Sequence, residues 1–172
     1  MNELALDFIN SSLSNNLPPS NPLLRPDWAG LAFDRNRYGD FAPDDVWTAW
    51  LVADTDGSRL SDILQIIPED PRRQGRAGSA QVVSSLSALR TYWAADSNFM
   101  FDHYVIPASH KWIVRLDQDV TLFAGERCFV NAVVDKLGGY DNVMSQMEED
   151  FSPGESDAAG LRRYLQTLLP KP

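Results

Sequence analysis

The chain has a single cysteine, Cys128, and only two histidines, His103 and His110. One thiol cannot close an internal disulfide, and a domain of 172 residues needs neither a disulfide nor a metal to be stable. Long hydrophobic runs are missing as well: no window approaches the ~20 apolar residues that a membrane span requires. Basic charge is scarce, with 15 Lys and Arg against 24 Asp and Glu and a formal net charge of -9. Long-range electrostatics therefore disfavours nucleic acid and anionic membrane and favours a basic partner. The opening stretch MNELALDFINSS is acidic and carries no long apolar run, so no secretory leader is expected there, and the expected compartment is the cytoplasm. Internal repeats and low-complexity tracts are absent.

What is present is core material. The hydrophobic fraction is 44%, with 10% aromatic and five tryptophans, enough to exclude disorder. The expected fold is α+β in a single domain: a small, mostly antiparallel sheet, built on a hairpin at about 111–124 and covered by several helices.

Ala5, Leu6, Ile9 and Leu13 recur at helical spacing, with Asn2 available as N-cap, and predict a short amphipathic helix. Between Ser14 and Asp45, Pro18, Pro19, Pro22, Pro26 and Pro43 remove backbone donors and fix φ, so an irregular arm is expected at about 14–45. Leu23, Leu24, Trp28, Phe33, Tyr38 and Phe41 give it too much apolar area for a free linker. The arm should wrap its own domain or offer its aromatics to a partner. Val46 to Ala53 reads as a strand from its β-branched and aromatic content and from the turn that follows. That turn, Asp54-Thr55-Asp56-Gly57, opens like a calcium-binding loop. However, Arg59 stands at the required glycine position and Gln65 at the bidentate acid position, which leaves a polar turn. Leu60, Ile63, Leu64 and Ile67 then predict a helix over 58–67, stopped by Pro68.

Arg72, Arg73 and Arg76, set among glycines ahead of a helix expected to begin near Ser79, are candidates for anion binding. They lack the lysine and the full spacing of a phosphate loop. Val82, Val83, Leu86, Leu89 and Trp93 form one stripe of that helix, which should run to about Ala94.

The stretch from Asn98 to Gly139 organises the rest. Phe99, Phe101, Tyr104, Val105 and Ile106 are strand formers closed, or confined to a sheet edge, by Pro107. Trp112 to Leu116 and Val120 to Ala124 form the hairpin. A loop of Asp117, Gln118 and Asp119 would set Leu116 opposite Val120, Val114 opposite Leu122 and Trp112 opposite Ala124, leaving one wholly apolar face. A helix over 126–137 follows, with Gly138 as its left-handed C-cap. Another over 141–151 carries Glu148, Glu149 and Asp150 against its own dipole, and a last one opens on Ser152, Pro153 and Glu155 as a capping box.

Catalytic chemistry has little to draw on. A thiolate beside an imidazole would need Cys128 with His103 or His110. The helix start near Cys128 could lower its thiol pKa, but Glu126 opposes that, and a small core residue is the plainer reading. Asp102, Asp117, Asp119 and the histidines include no pair at the helical spacing that brings two ligands to one ion. Ser109 beside His110 is a sequence neighbour pair, not a triad. No metal and no cofactor is expected.

Size, acidity and aromatic surplus point to a non-catalytic acidic protein-binding module, such as a bacterial immunity protein or antitoxin-type inhibitor that neutralises a basic effector. Its candidate contacts are Asp117, Asp119, Glu148, Glu149, Asp150, Trp28 and Tyr38. The alternatives are a small hydrolase or transferase using the His103, His110 and Cys128 region, and a structural subunit that docks through the 14–45 arm in a homo-oligomer.

Overall fold

The computed structural model describes residues 3–16, 19–54, 63–68, 79–151 and 157–171. Its centre is an antiparallel sheet of β1 (Trp28–Asp34), β2 (Ile63–Pro68), β3 (Ala80–Val83), β4 (His103–Pro107), β5 (Trp112–Leu116) and β6 (Val120–Glu126). The spatial order is β1-β6-β5-β4-β2-β3. Six helices complete the described fold: α1 (Glu3–Ser12), α2 (Asp44–Asp54), α3 (Leu86–Ala94), α4 (Arg127–Lys136), α5 (Tyr140–Phe151) and α6 (Ala158–Leu168). The α+β expectation therefore holds.

Helices lie on both sides of the sheet. On one face Phe123 of β6 meets Trp47 and Trp50 of α2 at ring-centroid distances of 4.8 and 5.0 Å, and Trp50 continues to Trp112 of β5 at 6.2 Å. Trp93 of α3 joins the cluster through Trp47 at 5.5 Å and Phe41 at 5.0 Å. All five tryptophans are buried. Each such side chain contributes roughly 1.5 to 3 kcal/mol through burial, and edge-to-face aromatic pairs add about 0.5 to 1.5 kcal/mol. The opposite face of β1, β6 and β5 is covered by α1, α5 and α6: Phe8 packs edge-on against Trp28 at 5.8 Å, and the Ala32 amide points to Met147 Sδ at 3.3 Å.

Burial on both faces explains where the sequence expectations fail. The hairpin register is shifted by one residue: Leu116 lies opposite Thr121, Val114 opposite Phe123 and Trp112 opposite Gly125. Asp117 N–H donates to the Val120 carbonyl, so the connection closes on Gln118 and Asp119. The expected pairing was chosen to make one face wholly apolar and left the other mixed, whereas β5 is buried at every position and both faces are packed.

Val46 to Ala53 is helical, within α2, and not a strand. Pro43, Asp44 and Asp45 start that helix, with Trp47 N–H reaching the Pro43 carbonyl at 3.1 Å, and Trp47 and Trp50 share its buried face. The apolar end of the segment read as the 58–67 helix is instead β2, an interior strand between β4 and β3; residues 58–62 lie outside the described structure. A short apolar run does not separate the two periods. The expected 79–94 helix divides into β3 and α3, because Ser85 caps the helix late, accepting from Ala88 N–H at 3.2 Å. Within the expected irregular arm, Trp28–Asp34 is β1, fully paired with β6. β4 ends at Pro107, as expected, but is an interior strand, not a sheet edge.

Other elements fall where the pattern put them. α1, α4 and α5 match to within a residue or so. Gly138 takes φ 91°, with Gly138 N–H on the Asp135 carbonyl at 3.2 Å and Gly139 N–H on the Val134 carbonyl at 2.9 Å, closing α4 as expected. The capping box at Ser152, Pro153 and Glu155 lies outside the described residues.

Candidate functional site

One end of the sheet gathers the C-termini of β1 and β5 and the N-termini of β4 and β6. Asp34, Asp102, Asp117 and Asp119 meet there because each stands at the edge of an apolar strand, where an acid escapes burial. Two buried guanidinium groups hold this end together. Arg35 donates through Nη1 to Asp102 Oδ1 at 2.7 Å and to the Asp117 carbonyl at 2.6 Å, and through Nη2 to the Phe101 carbonyl at 3.1 Å. Its guanidinium lies 4.6 Å from the centre of the Phe41 ring, whose residue adopts φ 69°. Arg35 N–H also donates to the Asp119 carbonyl at 3.1 Å. Arg115 donates through Nη2 to Asp117 Oδ2 at 2.7 Å, while Asp117 Oδ1 accepts from Gln118 N–H at 2.6 Å. The Gln118-Asp119 turn is thereby braced from both sides, and the Asp119 side chain faces solvent.

Hollows flank the turn. On the α6 side a cavity of about 220 Å³ is lined by Arg115, Asp117, Asp119, Leu122 and Tyr164 among others. Beside it a hollow of about 320 Å³ shares Asp119, Val120 and Tyr164 and adds Asp34 and Phe151. Across the sheet a third, of about 400 Å³, runs over Arg35, Tyr38, Phe41 and Asp102. Burial pushes the Tyr164 phenol up to about 12, with Arg115 opposing, so the ring presents a neutral hydroxyl at physiological pH.

The other candidates are placed differently. Asp150 is buried and engaged internally: it accepts from the Asp34 amide and the Tyr38 hydroxyl, and Arg37 lies 3.7 Å away. Burial and the Asp150 carboxylate raise the Tyr38 phenol well above its ordinary range. Tyr38 and Asp150 therefore tie α5 to the segment after β1. Trp28 is buried in β1 against Phe8 and under Arg25, whose guanidinium is 4.9 Å from its ring, leaving no surface for a partner. Glu148 pairs with Arg162 at 3.3 Å, and Glu149 is exposed on α5 and accepts from Ser145 at 3.1 Å. Arg72, Arg73 and Arg76 lie outside the described residues.

His103, His110 and Cys128 do not converge. His103 is buried at the start of β4, with Nδ1 against the Phe101 carbonyl at 2.9 Å and Nε2 against Tyr92 Oη at 3.2 Å. His110 lies beyond the opposite end of β4 and stacks on Phe8 at 4.7 Å. Cys128 is exposed, not a core residue, and its Sγ faces Glu126 Oε2 at 4.0 Å. Among the described residues no group of three His, Cys, Asp or Glu side chains is arranged to hold a metal ion.

Asp54, expected to open a polar turn, ends α2, and Thr55, Asp56 and Gly57 of that turn lie outside the described residues. Burial raises its carboxyl above the ordinary 3.8, opposed by the Trp112 indole, Lys111 and the Ser109 hydroxyl. Neither the indole nitrogen nor the hydroxyl closes a full hydrogen bond on it among the described residues. Arg35 and Arg115 were missed as anchors. A charged residue inside the apolar run WIVRL was the available signal for Arg115, while nothing local marks Arg35.

No helix among the described residues is long and apolar enough to cross a membrane. No protein-family model, no curated protein and no solved structure matches the chain.

Proposed function

We propose that the chain is a non-catalytic acidic protein-binding module, of the immunity-protein or antitoxin type, that neutralises a basic effector. The supporting observation is the acidic end of the sheet at the braced turn, where Asp34, Asp102, Asp117 and Asp119 outnumber Arg35 and Arg115, and where the Asp119 side chain is exposed. Arg35 and Arg115 are the kind of charge a fold buries only at some cost, and here they order a surface turn. A preorganised acidic tip on a chain of net charge -9 would speed encounter with a basic surface and cover phosphate-binding positions on it. The test is affinity capture from the native host at low and high salt, with wild type and with Asp119→Lys. Recovery of a basic protein that the variant loses supports the reading; recovery of nothing basic rejects it.

A further inference from the structure

We infer that the cavity beneath the β5–β6 turn is a receptor for one long basic side chain, arginine or lysine, presented by a protein partner; this deepens the reading above and rests on it. The cavity holds about 220 Å³, room for one long side chain, and adjoins the hollow that shares Asp119, Val120 and Tyr164. Its walls are mixed in the way an alkyl stem with a charged head requires. Leu122, Val120 and Pro22 supply apolar surface for the methylenes, and Asp117 and Asp119 supply carboxylates. Tyr164, buried and neutral, adds an aromatic wall and a hydroxyl acceptor.

Charge decides the sign of the occupant. Arg115 also lines the cavity, but Asp117 at 2.7 Å already neutralises it, so Asp119 carries the residual charge. An anionic group would face that carboxylate. A purely apolar group would desolvate the Asp119 carboxylate without giving it a partner. The neighbouring hollow, sharing Asp119 and Tyr164 and adding Asp34, lies where the residue next to the inserted one would pass.

The probe is a capped Gly-Arg-Gly peptide titrated into the isotope-labelled full chain and followed by NMR, with capped Gly-norleucine-Gly as the uncharged control. The arginine peptide should shift the amides of Asn16, Val120, Leu122 and Tyr164 in a saturable way, and norleucine should bind at least about tenfold more weakly. Asp119→Asn should weaken arginine binding about threefold to fivefold, as loss of one exposed charge contact implies, while Asp135→Asn on α4 should leave it unchanged. Scattered non-saturable shifts, equal binding of norleucine, or equal effects of the two variants would overturn the inference. It also separates from its parent reading. If a basic partner is captured and Asp119→Asn leaves its affinity unchanged, the side-chain receptor fails while the binding module stands. If the peptide binds as described and no basic partner is ever captured, the reverse holds.

Discussion

Arg35 does more for this molecule than its surroundings in the sequence suggest. Within the run DRNRY it reads as one more solvated cation, yet it is 7% exposed and joins Asp102, two carbonyl groups and the Phe41 ring. Arg35→Ala should destabilise the fold by about 3 kcal/mol in urea unfolding, the low end for a broken buried pair, because Asp102 keeps 25% of its side-chain surface in water. Asp54 works in the opposite direction. Its folded carboxyl holds its proton more tightly than the unfolded chain does, so the stabilising contribution of protonation is full below about 3.8 and is lost as pH rises through the higher folded value. At neutral pH the ionised group therefore works against folding, as does its place at the C-terminal end of α2. Asp54→Asn should raise the melting temperature at pH 7 and leave it unchanged near pH 3; a change of equal size at both would contradict this. The burial of neither residue was legible in advance, because burial of a polar group depends on chain brought in from elsewhere: β4 and the hairpin turn for Arg35, and β5 for Asp54.

At the scale of elements, legibility follows the number of buried faces. α4 and α5 each bury one stripe, and their apolar periodicity located them, with Gly138 marking the end of α4. β2 and β5 sit inside the sheet, and their apolar residues carry no alternation from which to read period or register. α2 was obscured by tryptophans that also suit strands, although Pro43 and two aspartates mark its start. The β1–β6 pairing, invisible in a stretch dominated by prolines, depends on close approach at Gly30: a Cβ there would lie 2.7 Å from the Phe123 carbonyl oxygen. Gly30→Ala should therefore cost about 2 kcal/mol, near the middle of the range for overpacking, and thermal unfolding would measure it. A neutral substitution would mean that the two strands separate more easily than their ladder implies.

For the whole molecule, composition was a better guide to surface character than to site. The excess of acid over base favoured a basic partner, and the fold gathers part of that excess on a braced turn, but Trp28 and Asp150 turned out to be interior. The position of Asp117 and Asp119 at the β5–β6 connection was legible because hairpin tips are where strands release polar residues to solvent. The arginines that brace them, and the cavity under them, required the tertiary structure. Docking of a basic protein on this acidic end, as proposed, would show in the association rate of the captured partner as a function of salt, for wild type and Asp119→Lys. The expected result is a rate that falls steeply with ionic strength for wild type and is already low, with a flatter salt dependence, for the variant. Identical rates and identical salt dependence for the two proteins would contradict it.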